Sequence, residues 1–130
     1  MAKKIRAYNS SDTIVAIATF PAAAAISVIR ISGNKAFDIA DKVFKAKNTK
    51  KLKTAKTFTM HYGWIMDGSK KAIETVDEVL VAVMRGPNTY TGEDIVEISS
   101  HGGTFVTNKI QDVLLKNGAR LANRGEFTYR

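Results

Sequence analysis

Two charged side chains occupy positions where a β-strand normally carries none. Arg30 falls within Ile26-Ser27-Val28-Ile29-Arg30-Ile31-Ser32, and Glu97 within Ile95-Val96-Glu97-Ile98-Ser99. The residue two places before each is apolar, Val28 and Ile95 respectively, and a strand's period of two sets those neighbours on the charged residue's face. Burying a lone charge is costly unless it is paired or hydrogen-bonded. Two arrangements answer that cost: the pair face each other as an internal ion pair, or both point into a pocket that holds a polar ligand. A guanidinium offers a rigid fork to carbonyls or carboxylates. A carboxylate accepts paired N–H donors from an amino-substituted heterocycle. The pattern alone leaves both arrangements open.

The remaining candidates are weaker. His101, beside Gly102-Gly103, has the chemistry of a general base or of an anion contact at a helix start, and equally that of a local structural hydrogen bonder. His61 stands alone in a strand-like run and carries no assigned role. No metal-ligand spacing occurs, and no nucleophile–base–orienter set assembles from neighbouring motifs, so the chain does not read as a hydrolase. Gly103 is followed by Lys109 without the second glycine of a phosphate-cradling loop, which places nucleoside-triphosphate chemistry outside these residues. No dinucleotide fingerprint is present.

The elements that must position Arg30 and Glu97 follow from the patterning. Thr13–Thr19 is short and β-branched and predicts a strand, broken by Phe20-Pro21. Ala22–Ala25 is ambiguous, too short for a helix between two strand-like runs. Ile26–Ser32 is a second strand. Gly33-Asn34 opens a helix with Asn34 as expected N-cap, and Ala36, Phe37, Ala40, Val43 and Phe44 form its apolar stripe. A lysine-rich loop follows. Thr57–Met66 and Val76–Met84 read as a hairpin whose turn begins at Asp67-Gly68. Arg85–Gly92 is a loop by composition and Ile95–Ser99 a short strand. A helix with the stripe Val106, Ile110, Val113 and Leu114 stops at Asn117-Gly118. Ala119–Ala122 suggests a further strand, and Asn123–Arg130 a loop that leads toward a helix not reached within the chain. The expected class is α/β of the α+β type: a mixed β-sheet with two to three helices packed on it.

The 130 residues suit one domain, 45% of them apolar and 25% charged, a soluble globular balance. Without cysteine the chain holds no disulfide, zinc thiolate or cysteine nucleophile, which suits a reducing cytoplasm. No apolar run approaches a membrane span, so no membrane partner is expected, and residues 1–11 read as a flexible basic N-terminal tail before a domain at 12–130. The net charge of +8 is concentrated: Lys42, Lys45, Lys47, Lys50, Lys51, Lys53 and Lys56 lie close together, with no acid from Lys42 through Met66. Such a run attracts nucleic acid through phosphate neutralisation, or simply forms a solvated loop and helix end. Aromatic interleaving of the kind that stacks bases is missing from the run itself.

Several segments in order resemble one family, the tRNA-modification GTPases called MnmE or TrmE. They are Asp12–Thr19, Val28-Ile29-Arg30-Ile31-Ser32-Gly33, Gly86-Pro87-Asn88-Thr89-Tyr90-Thr91-Gly92-Glu93-Asp94, Val96-Glu97, His101-Gly102-Gly103, Gly118–Ala122 and Gly125-Glu126-Phe127-Thr128. The resemblance covers the chain from Asp12 to its end and points to the family's N-terminal domain, with the helical and G domains absent. It implies a fold similar to the tetrahydrofolate-binding domain of aminomethyltransferases. It also implies a homodimer formed through this domain, with 5-formyl-tetrahydrofolate (or 5,10-methylene-tetrahydrofolate) bound near the interface. Arg30 and Glu97 match the family's folate contacts; a further folate-contacting lysine of the family lies beyond Gly-Glu-Phe-Thr-x-Arg, past Arg130. The folate is expected to supply a one-carbon unit for C5 of the wobble uridine of tRNA, together with a flavin-dependent partner, MnmG (GidA). GTP, K+ and Mg2+ belong to the absent G domain. Pro21-Ala22-Ala23-Ala24-Ala25 departs from the family's glycine-rich run, and Arg124 stands where the family often has proline. Two other readings stay beside this one: a basic RNA-binding module centred on the lysines at 42–56, and a purely structural dimerisation arm with Arg30 and Glu97 as an ion pair.

Overall fold

The computed structural model describes residues 12–18, 26–68 and 72–130. The basic tail at 1–11 and the Ala22–Ala25 run lie outside the described residues. Among the described residues seven strands form one sheet in the order β3-β4-β5-β6-β2-β1-β7. They are β1 (Ile14–Ile17), β2 (Ile26–Ser32), β3 (Phe44–Ala46), β4 (Thr59–Asp67), β5 (Glu74–Met84), β6 (Ile95–His101) and β7 (Arg120–Leu121). Neighbours are antiparallel except β1 and β7, which run parallel, so the sheet is mixed as expected. Among the described residues, helices α1 (Ala36–Val43) and α2 (Thr104–Lys116) and a short α3 (Glu126–Tyr129) join the sheet in an α+β fold.

Strand periodicity decides what each face of this sheet carries. Ile29 and Ile31 of β2 align with Ile98 and Val96 of β6, and these with Val81 and Val83 of β5. All six are fully buried, under α1 and α2, whose Phe37, Ile39, Ala40, Val43, Ile110, Val113 and Leu114 complete the core. Burying such side chains contributes about 1.5–3 kcal/mol each. The other face, with Ile26, Val28 and Arg30, is not covered by these helices, and Ile26 there is 61% exposed. The Arg30 strand therefore turns its charge to the open face rather than into the core.

Local chemistry corrected several boundaries. Asn34 does not cap α1: the N-cap is Lys35, without a side-chain cap bond, and the Lys35 N–H is taken by Thr13 Oγ1 at 3.0 Å. A hydroxyl just ahead of β1 thus holds the backbone at the helix start across the fold. Gly33, at φ 147°, passes so close to Thr13 that a Cβ would lie 2.5 Å from its hydroxyl. Phe44 leaves the helical stripe and begins β3, still buried, opposite Ile65. The lysine-rich segment is no plain loop, since it contains β3 and a 3-10 turn at Leu52–Thr54 with Leu52 buried. β6 runs two residues past Ser99, so His101 ends a strand. Asn123–Arg130 does reach a helix, the single turn of α3. The β4–β5 hairpin forms as expected, with a register shift between Ile65 and Met66.

Candidate functional site

Arg30 and Glu97 are cross-strand partners on the open face, and their side chains meet. Arg30 Nε donates to Glu97 Oε2 at 2.7 Å and Nη2 approaches the same oxygen at 2.6 Å. The pair is half-buried, with side-chain exposures of 30% and 27%. Its neighbours along the row are small: Ala16 is opposite Arg30 on β1, and Ala82 opposite Glu97 on β5. Two aromatic rings stand around the guanidinium, Tyr90 at 5.6 Å and Phe127 at 5.9 Å from centroid to Cζ. Short neighbours and aromatic edges leave the polar pair as a floor accessible from the open side.

A buried polar network fixes those edges. Glu126 in α3 is fully buried, its Oε1 accepting from Arg120 Nη1 at 2.9 Å and from the Asn123 N–H at 2.9 Å. Its Oε2 accepts from Arg120 Nη2 at 2.6 Å and Arg130 Nη2 at 3.1 Å. Burial pushes the Glu126 carboxyl up, but hydrogen bonds from Arg120, the Asn123 N–H and Arg130 outweigh it and hold it down at about 2. Arg120 also donates to Asp12 at 2.7 Å, and Arg130 to Glu93 at 3.1 Å. Ser32, two residues beyond Arg30, donates to Glu93 at 2.8 Å and so receives from Thr91 at 2.7 Å. The network ties the C-terminal turn and the 85–94 loop to the end of β2, which sets Phe127 and Tyr90 beside Arg30.

His101 does not join this pair. Its Nδ1 lies 3.0 Å from Asp77 Oδ1 and its N–H donates to Asp77 at 2.9 Å, the arrangement of a local structural bonder. The hydrogen bond to Asp77, with that carboxylate's charge, raises the His101 pKa. A cavity of about 310 Å³ opens on the same sheet face, lined by Ile26, Tyr62, Glu78, Leu80, Ser99 and His101 among others. Neither Arg30 nor Glu97 lines it. His61 bonds to Thr59 Oγ1 at 2.8 Å. Among the described residues no group of acids and histidines could hold a metal ion, and no helix is long and apolar enough to cross a membrane.

Tyr90, Phe127 and Glu126 were not singled out by patterning. Their signal lay in Tyr-Thr-Gly-Glu-Asp and Gly-Glu-Phe-Thr, segments 30 or more residues apart that only the fold brings to the same arginine.

The family described as GTP-binding protein TrmE N-terminus matches residues 13–130. The tRNA modification GTPase MnmE of Thermoanaerobacter pseudethanolicus is 54% identical over 119 residues, which cover 92% of this chain and 25% of that protein. Those of Flavobacterium johnsoniae and Geobacillus kaustophilus are 51% and 48% identical, over 93% and 92% of this chain and 25% of each relative. The chain spans about a quarter of the length of the curated relatives it matches.

Proposed function

The chain belongs to the family of the GTP-binding protein TrmE N-terminus, and we propose from that premise that it holds a tetrahydrofolate-type cofactor at Arg30 and Glu97. The observation that carries this reading is the asymmetry of the pair. Both Arg30 nitrogens in contact reach Glu97 Oε2; among the described residues no partner meets Arg30 Nη1 or Glu97 Oε1. The pair therefore keeps one donor and one acceptor open, the two kinds of group that a pterin's carbonyl and amino edge calls for. Tyr90 and Phe127 give a flat ring apolar contact. The residues fit 5-formyl-tetrahydrofolate, and 5,10-methylene-tetrahydrofolate shares the same edge.

When bound, the folate supplies a one-carbon unit at the oxidation level it carries. The chain's own part would be to bind and orient it: Arg30 would meet the carbonyl and Glu97 the amino group, with Tyr90 and Phe127 limiting water. The relatives are named as tRNA modification GTPases. In the longer protein the unit would go to C5 of a tRNA wobble uridine, with flavin-dependent MnmG as partner and a G domain using GTP, K+ and Mg2+. This work would take place in the cytoplasm. A homodimer through this domain is supported by apolar side chains on the open face: Ile26 and Met60 are each 61% exposed, and Leu80 is 45% exposed. A second copy seated there would remove them from water.

Calorimetric titration of 5-formyl-tetrahydrofolate into the chain tests the reading. Saturable heat that Arg30→Ala and Glu97→Ala each reduce is the expected result. Identical titrations for the wild type and both variants would remove the pair from the site. Loss of melting temperature alone, without any change in binding, would favour the structural-arm reading.

A further inference from the structure

We propose that the lysine ridge at residues 45–56, with Phe58 at its end, is a binding surface for an unpaired stretch of RNA. The proposal is independent of the folate site, which lies on β2 and β6, whereas the ridge borders β3 at the sheet's edge.

The ridge is held from both sides, unlike a solvated tether. Asp41 accepts from the backbone N–H of Leu52 at 2.7 Å and of Lys53 at 3.1 Å. Arg85 donates to the Ala55 carbonyl at 2.7 and 2.9 Å and to the carbonyls of Leu52 and Lys53. The same guanidinium stacks 4.5 Å from the Phe37 ring, and Leu52 is buried as an anchor. A backbone fixed in this way presents its lysines with little ordering left to do on binding.

Most of its charge is uncompensated. Asp38 pairs with Lys53 at 3.0 Å, and Asp41 is occupied by backbone donors. Among the described residues Lys45, Lys50, Lys51 and Lys56 make no ion pair, and all are exposed. Lys47 rests 5.9 Å from the Tyr62 ring with no carboxylate partner. A polyphosphate backbone is the complement of such a row.

Phe58 selects an unpaired strand over a duplex. It is 66% exposed, two residues beyond Lys56. Its φ of 58° lies in the left-handed region, which bulky residues enter at an energetic cost. Backbone bonds impose that conformation: the Phe58 N–H donates to Val83 at 2.8 Å, and Thr57 Oγ1 accepts from the Arg85 N–H at 2.8 Å. The aromatic ring missing from the lysine run thus follows it by two residues, exposed on a backbone held in place. An unstacked base offers the ring a π-face, whereas a duplex hides its faces.

The test is anisotropy of a labelled oligouridylate against the chain across a salt series, with duplex RNA and heparin as competitors. We expect Phe58→Ala to weaken oligouridylate binding about tenfold with the salt slope unchanged, and Phe58→Tyr to restore it. Combining Lys47→Gln, Lys50→Gln, Lys51→Gln and Lys56→Gln should lower the slope by roughly 3, at about 0.7 per phosphate. Circular dichroism melts of each variant establish folding, and Phe58→Tyr supplies a folded comparison if Phe58→Ala melts early. No binding at low salt, an unchanged affinity for Phe58→Ala, or equal competition by duplex RNA or heparin would each overturn the proposal, the last two leaving a generic polyanion surface.

Discussion

Arg30 and Glu97 stand opposite each other on antiparallel β2 and β6, and both guanidinium nitrogens that cross the gap land on one carboxylate oxygen. A pair built for stability alone gains more from two parallel bonds to two oxygens. Partial exposure, 30% and 27%, screens it further, and solvent-screened pairs contribute about 0–1 kcal/mol. Arg30→Ala and Glu97→Ala should therefore lower stability by no more than about 1 kcal/mol in urea denaturation. Affinity for 5-formyl-tetrahydrofolate should fall about 10- to 100-fold, as expected for hydrogen bonds to charged groups. A stability loss of about 3–5 kcal/mol would instead identify a buried structural pair.

Glu126 makes the fold acid-sensitive in a definite window. Its folded value of about 2 lies below the ordinary 4.5, so the unfolded chain binds the proton more tightly. The stabilisation is then complete above pH 4.5 and is lost as pH falls toward 2, and it amounts to about 3 kcal/mol. Melting curves between neutral pH and pH 2 should show a steep fall below pH 4.5. Glu126→Gln should flatten that fall while lowering stability at neutral pH, because Arg120 and Arg130 lose their shared carboxylate. An unchanged acid profile for Glu126→Gln would mean that other carboxylates set it.

Gly63 is required by a close approach of backbones. A Cβ there would collide with the Lys45 carbonyl and would lie 2.8 Å from the Ala46 Cα. Gly63→Ala must push β3 away from β4, an overpacking that costs about 1–3 kcal/mol. Hydrogen exchange should show faster exchange at the Lys47 N–H, which donates to Tyr62 at 3.0 Å. Slow exchange there with unchanged stability would show that the strand pair yields without separating.

What could be read from the sequence was what depends on local pattern. Ile26–Ser32 has the predicted bounds because seven alternating residues suffice to mark a strand. Helix α2 carries the expected stripe and stops where Asn117-Gly118 predicts. Features set by distant partners were not legible. The Thr13 hydroxyl holds the Lys35 N–H at the start of α1 from 22 residues away, a partner that the local Asn34 signal does not reveal. Leu52 and its turn depend on Asp41 and Arg85, neither of them in the run itself. Glu126 sits in a polar octapeptide and is nevertheless among the most buried side chains, because three partners converge on it. The Arg30 and Glu97 positions were visible; the face they point to was not, since periodicity separates two faces without saying which one the helices cover.

Phe127 provides the last check, because its place beside Arg30 is maintained by a network it does not itself join. The ring lies 5.9 Å from the guanidinium, at a distance where a cation–π contact is worth about 0.5–1 kcal/mol at an exposed site. Removing it should cost little stability, but a ligand ring resting on the pair would lose one of its two apolar edges. Phe127→Ala should weaken 5-formyl-tetrahydrofolate about 5- to 10-fold, with under twofold change for Tyr90→Phe, which keeps the ring and loses only a 3.3 Å contact to Thr128. Phe127→Leu should fall between wild type and alanine, since it retains bulk without the π-face. If calorimetry instead gives Phe127→Ala the wild-type affinity while Glu97→Ala abolishes binding, the ligand lies over the carboxylate and away from α3. The aromatic edge would then serve to orient Arg30 alone.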